Sequence, residues 1–411
     1  MSLLIKYVTR YPVGIIVFAQ LMGGSIWFST NGVADQLLVA WSLSTSELGY
    51  LTSAVQLGFI IGTFVFALSG LSDRYKASQI FFISCLVGAA ANASLPYFSH
   101  SIESALVFRF LTGIALAGIY PLGMKLIISW APNKAGFTLG WLVGMLTLGT
   151  ALPHLLRSVG ADYSWQTIIV LSSLLAVVAG IIIYLLGDGP HLSNNAKLDK
   201  NAARKAFKIP AFRAAAFGYF GHMWELYAFW TITPLLVMRI LENFTEWSSS
   251  TYVAALSFVI IGSGFIGCTV GGYLSHKWGS KTIATIALAS SGLICLFYPL
   301  VQSLPPLLLL FLLIVWGITV VADSPQFSAM SAKACPKNIV GSALSIQNGI
   351  GFLITIISIS LVTSFYENIC VFVTWILLPG PILGLFFLHR KNAITIGTRL
   401  AATRSQEITG T

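Results

Sequence analysis

Apolar runs of roughly 20 residues recur along the whole chain, and each is long enough to cross a bilayer as a helix. Within hydrocarbon, backbone amides and carbonyls have no water to bond. The runs are therefore read as membrane-spanning helices, whose backbone groups bond within the segment. We place twelve spans at about 12–34, 48–70, 78–98, 104–128, 136–158, 165–187, 212–238, 250–272, 282–302, 306–330, 339–363 and 369–389. Hydrophobic residues make up 56% of the chain and charged residues only 9%, too few to clothe a soluble core of 411 residues. The first run follows Lys6 and Arg10 but is too long for a signal-peptide core, so it is read as an uncleaved span.

The net charge of +10 suggests nucleic acid until its placement is considered. Of the 23 Lys and Arg residues, only Arg157 and Arg239 fall on the outer side, and Arg109 falls inside a span. The rest lie on the side that holds both termini and the linker. That is the positive-inside asymmetry, so both termini are expected in the cytoplasm and no nucleic-acid partner is expected. The outer loops carry Asp35, Glu47, Glu103, Asp162, Glu242, Glu246 and Glu367 instead. Cys85, Cys268, Cys295, Cys335 and Cys370 are scattered without a CxxC and read as small apolar fillers.

The second half repeats the first. Pro121 and Pro132 recur as Pro325 and Pro336, and Gly58 recurs as Gly262, all 204 residues later. Trp27 and Trp230 are 203 apart, as are the loops 69–78 and 272–281. Two six-span repeats follow: a bundle over 1–187, a polar linker over 188–210, a second bundle over 211–390 and a tail over 391–411. Polarity repeats too. Spans one, four, seven and ten carry the polar and ionisable residues and should line an interior. Spans three, six, nine and twelve are plain and should face lipid.

These features resemble the major facilitator superfamily. Its inter-span motif reads roughly G-x-L-x-D-R-x-G-R-K. The second inner loop is similar through Gly272, Leu274, Lys277, Gly279 and Lys281, with His276 at the acidic position. The first keeps Leu71, Asp73 and Arg74 but has Ser69 and Lys76 where the motif has glycine. Arg109 and Gly113 resemble the family's R-x-x-x-G on span four. The following Tyr-Pro, and GDGPH after span six, are similar to nitrate, nitrite or cyanate porters and organic-anion symporters. The resemblance implies an all-α transporter working by alternating access, with its solute held near the midplane between two bundles. It also implies that Asp73, Arg74, Lys277 and Lys281 gate the cytoplasmic side.

An arginine inside a span is costly unless it faces protein or water. Arg109 is expected either to grip an anionic solute through its planar fork or to pair with carbonyls of another span. Span seven places His222 and Glu225 one turn apart, and span ten places Asp323 before Ser324-Pro325. In a dry cavity an unpaired carboxylate can hold a proton at neutral pH and release it when water enters. Glu225 is the first choice as proton carrier and Asp323 the second, because Asp323 also suits a helix cap. A polar clip between helices is the structural alternative for His222 and Glu225. Tyr120, His222, Trp230 and Gln347, with Arg109, are the expected solute contacts. No P-loop, nucleophile elbow or HExxH occurs, so neither an ATP-driven pump nor a membrane enzyme is supported. The expectation is a secondary transporter of a small anionic or zwitterionic solute in a bacterial inner membrane. It is expected to act as a monomer without cofactor or metal, driven by protons, with sodium as the alternative ion. An exporter of amphipathic compounds or siderophores and a non-transporting nutrient sensor are the competing readings.

Overall fold

A computed structural model describes residues 11–132, 135–160, 162–191, 202–242, 250–336 and 339–390. The described residues form helices and turns with no strand. Nine stretches among them are long and apolar enough to cross a membrane. One of these, Val340–His389, holds spans eleven and twelve. Pro12–Gly24 begins span one and Pro210–Leu241 is span seven, an arrangement consistent with twelve crossings.

The internal repeat is visible in helix boundaries. Span four is two helices, Ile102–Leu116 and Tyr120–Trp130, and span ten is Pro306–Ala322 and Ser324–Ala334. Three of these four boundaries repeat at an offset of 204, since Ile102, Tyr120 and Trp130 match Pro306, Ser324 and Ala334. Proline makes both breaks. Pro121 and Pro325 lack the amide that would have bonded the carbonyl four residues earlier, so the ladder opens ahead of each. The break in span four falls before Tyr120. Arg109 and Tyr120 therefore sit on separate helices rather than on one continuous face.

Glycines join spans two and four back to back. A Cβ on Gly113 would lie 2.1 Å from the Val55 carbonyl oxygen, and one on Gly58 would lie 2.0 Å from that of Phe110. The second bundle repeats the device: Gly317 would meet the Ile260 oxygen at 2.0 Å and Gly267 that of Ile318 at 2.0 Å. Only a residue without a side chain allows backbones this close.

The linker leaves span six already tied down. Asp188 accepts from the amides of Ala77 and Ser78, at 3.1 and 2.8 Å, and so caps span three. Gly189 and His191 donate to Ser129 on span four, both at 3.1 Å. Later in the linker, the helix Ala202–Lys208 lays Phe207 on Phe212 of span seven, with ring centroids 5.3 Å apart. Linker residues 192–201 and the tail 391–411 lie outside the described residues.

Candidate functional site

Span one loses its helix after Gly24, and the chain passes through turns until Asn31. Carbonyls freed inside a membrane need donors. Arg109 supplies them. Its Nη1 donates to the Ile26 carbonyl at 3.0 Å, to Ser29 Oγ at 3.1 Å and to Asn92 Oδ1 at 2.9 Å, and Nη2 donates to the Trp27 carbonyl. Asn92 in turn donates to the Ile169 carbonyl and to Ser173 Oγ on span six, at 3.2 and 3.0 Å. Ser25 reaches the Ser172 carbonyl at 2.9 Å. Arg109 is fully buried, with both terminal nitrogens engaged by spans one and three. This is the carbonyl-pairing geometry. Asn92, Ser172 and Ser173 show that spans three and six are not plain on their inward faces.

What Arg109 holds in place is an aromatic cluster between the bundles. The broken stretch carries Trp27 and Phe28. Trp27 lies 5.8 Å from Phe352 and 5.9 Å from Tyr227, and Phe28 lies 5.8 Å from Trp230, all in the other bundle. Phe59 of span two closes on Phe352 at 4.4 Å. Tyr120 sets its edge against Trp27 at 6.4 Å and is itself only half-buried. Of the sequence-predicted contacts, Tyr120 meets Trp27 and Trp230 meets its neighbour Phe28. Sequence reasoning missed Phe28, Phe59, Tyr227 and Phe352. Their one visible signal was the spacing of Trp27 and Trp230.

The spans that carry these rings also carry buried polar atoms without hydrogen-bond partners. Both amide atoms of Gln20 and of Gln347, the Gln56 Nε2 and the Trp230 Nε1 are in this condition. Gln20 rests where a side chain on Gly123 would have to go, its Oε1 2.3 Å from that Cβ position. Gln347 lies one turn before Gly351, which meets Tyr219 of span seven. Unpaired buried polar groups are costly and call for an explanation, such as water or a ligand.

The two interior carboxylates differ. Glu225 accepts from Trp316 Nε1 at 2.6 Å, Ser291 Oγ at 2.9 Å and Cys295 Sγ at 3.3 Å, on spans nine and ten of its own bundle. That is the geometry of a clip between helices. Asp323 makes no cap hydrogen bond to the helix that follows it. Its Oδ1 lies 2.7 Å from His222 Nδ1, a close polar contact whose direction falls outside hydrogen-bond geometry.

The ends of the molecule also differ. At the linker end, Arg74, Lys277 and Lys281 are exposed, and among the described residues no ion pair joins them to another segment. The Asp73 side chain lies outside the described residues. At the far end the bundles are tied together. Glu367 of span eleven accepts from the Thr45 amide at 3.2 Å, at the N-terminus of span two. Arg157 of span five donates to Ser250 Oγ of span eight at 2.7 Å and lies 3.5 Å from Asp35. A Cβ on Gly49 would fall 2.1 Å from Thr363 Oγ1, so spans two and eleven nearly touch there. An exposed charge contact is worth at most about 1 kcal/mol, enough to shift a balanced equilibrium several-fold. Glu367→Ala, which removes the acceptor, is therefore expected to raise, several-fold, the rate at which a cysteine at Thr363 reacts with a thiol reagent added to the far side. An unchanged rate would show that Glu367 does not hold this end shut.

Likenesses to known proteins bear on this arrangement. The 4-hydroxybenzoate transporter PcaK of Acinetobacter baylyi is 23% identical over 357 residues, covering 78% of this chain and 76% of that protein. The niacin transporter NiaP of the same organism is 26% identical over 179 residues, a match that spans 41% of this chain and only 38% of the niacin transporter. A mutant of the nucleoside transporter NupG superposes with a TM-score of 0.69 at 15% identity, over 92% of this chain and 97% of that one, a likeness of fold. The sequence profile of the Major Facilitator Superfamily matches residues 16–359, which take in the Arg109 network, the aromatic cluster and the His222–Asp323 contact. The chain belongs to the Major Facilitator Superfamily.

Proposed function

We propose that this protein carries a small organic anion across a bacterial inner membrane by alternating access, driven by a proton gradient. The solute class we favour is a single-ring aromatic carboxylate. The observation that carries this is the interbundle cluster itself, whose flat rings from both bundles ride on spans that also bear unpartnered amides and an indole N–H. Such a lining offers a face to stack on and donors for a carboxylate. The relatives named for niacin and 4-hydroxybenzoate support the same class.

Several further assignments belong to this reading. Gln20, Tyr120, Trp230 and Gln347 contact the solute, and Arg109 positions the span-one break rather than touching it. The His222–Asp323 pair takes precedence over Glu225 as the proton site, because three donors already satisfy Glu225. The conformation is closed at the far, non-cytoplasmic end. Asp73, Arg74, Lys277 and Lys281 engage in the opposite state. Both termini are cytoplasmic, and the bundles divide at the linker 188–210.

The test is uptake in proteoliposomes. Radiolabelled niacin and 4-hydroxybenzoate are offered with an imposed pH gradient, with a sodium gradient, and with neither. We expect accumulation of at least one acid that requires the pH gradient. Accumulation under sodium alone would replace the coupling ion. Binding of an acid without flux would favour a sensor. Failure of both acids, with protection of cells against toxic amphiphiles, would favour export.

A further inference from the structure

We propose that His222 and Asp323 act as one unit that binds the solute carboxylate and its accompanying proton together. In it, Nε2–H of a protonated His222 grips the anion while Asp323 holds the Nδ1 side of the ring. The proposal rests on the organic-anion reading above and deepens it.

The geometry supplies each part. The two side chains approach to 2.7 Å with 0 and 1% of their surface exposed. Nε2 of His222 is buried and has no hydrogen-bond partner. An imidazole with a carboxylate close to Nδ1 still has Nε2 to offer a second acceptor. The break between Pro306–Ala322 and Ser324–Ala334 brings Asp323 to this point. The imidazole lies 5.9 Å from the Tyr219 ring and 6.5 Å from that of Phe327, so it stands between flat walls. It is also close to the interbundle surface. Cys268 Sγ lies 3.7 Å from the carbonyl of Val321, two residues before Asp323. A Cβ on Gly144 of span five would meet Cys268 Cβ at 3.4 Å.

Charge balance gives the pair its purpose. An anion brought to the middle of the membrane needs a counter-charge at hand. Arg109 is committed to carbonyls, so its charge already serves span one. Empty, the site holds an ionised Asp323 and a neutral His222, a net charge of −1. Loaded with a monoanion and one proton, it holds Asp323, imidazolium and carboxylate, again −1. No bond is made or broken except that the proton moves from water to Nε2. The other titratable groups near the pair are Tyr219 on its own helix, Cys268 on span eight and Glu225 one turn along. Glu225 is satisfied by its own three donors and takes no part in the transfer.

Two measurements on the purified full-length protein test this. In weakly buffered detergent solution, niacin binding is expected to take up one proton per anion, and the niacin Kd to rise about tenfold per pH unit over the range in which that proton is taken up, levelling off once the loaded site also loses it. Nicotinamide, the neutral amide of the same ring, is expected to bind without proton uptake. His222→Gln is expected to weaken niacin at least tenfold and to flatten its pH profile, with little change for nicotinamide. Asp323→Asn should weaken niacin in the same direction, which keeps the test open if one variant misfolds. Niacin binding without proton uptake, or a wild-type pH profile in His222→Gln, would overturn this proposal alone. Binding of neither niacin nor 4-hydroxybenzoate to the wild type would overturn it together with the organic-anion reading.

Discussion

Arg109→Ala is expected to abolish transport and to lower the melting temperature of the purified protein by on the order of 10 °C. The side chain is fully buried and makes four hydrogen bonds, two of them to carbonyls in the broken stretch of span one. Each buried acceptor left unpaired costs about 1–3 kcal/mol, so losing the guanidinium removes several kcal/mol together. Scaling the unfolding entropy to 411 residues gives roughly 1 °C per kcal/mol, and four acceptors unpaired at once bring a shift of that order. Arg109→Lys discriminates between two roles. An ammonium keeps the charge but has no planar fork to span the Ile26 and Trp27 carbonyls. If Arg109 positions span one, the lysine variant should melt earlier and turn over more slowly, with KM nearly unchanged. A wild-type melting temperature with a KM raised tenfold or more would instead place the guanidinium on the solute.

The second large effect is steric. Gly113→Leu and Gly317→Leu should each prevent accumulation of folded protein, with a cost above about 4 kcal/mol. The added Cβ would stand 2.1 Å from the Val55 oxygen in one bundle and 2.0 Å from the Ile260 oxygen in the other. Backbone carbonyls cannot swing aside as a side-chain tip can, so two spans would have to part. Gly140→Ala is the control, since its new methyl would have nothing nearer than the Cys268 oxygen at 3.7 Å. Thermal unfolding of the three variants in one detergent decides the matter. Near wild-type stability in Gly113→Leu would mean that the close approach of spans two and four is not required for folding.

The fold was legible because membrane helices announce themselves locally. Length, apolarity, the placement of Lys and Arg, and prolines repeating at 204 are all properties of neighbouring residues or of simple offsets. Arg109 could be oriented inward for the same reason, since its cost in lipid depends on nothing else. Its partners were not legible. They are carbonyls exposed by a break after Gly24, and a freed carbonyl leaves no mark in a sequence. The Gly23-Gly24-Ser25 run was the only hint. Glu225 was ranked above Asp323 because Asp323 also suits a helix cap beside Pro325, and nothing in span seven shows that Glu225 is already satisfied. Its donors Ser291, Cys295 and Trp316 lie 66 to 91 residues further on, and only packing brings them near. Asn92 was overlooked in span three because one polar residue among many apolar ones does not change a window average. The direction of closure was likewise out of reach. The charged loops mark where a contact can form, whereas which end is shut depends on how one whole bundle leans on the other.

The cluster at the centre has a thermal consequence. Trp27, Phe28, Phe59, Tyr227, Trp230 and Phe352 are all buried against one another across the bundle boundary. Any state that parts the bundles here wets these rings, and wetting apolar surface raises the heat capacity. The enthalpy difference between the closed and parted states therefore changes with temperature, and so does their balance. A carrier sealed by rings in this way warms along a curve. No single activation energy describes its turnover from cold to warm, and cooling weakens the very association that keeps its centre dry.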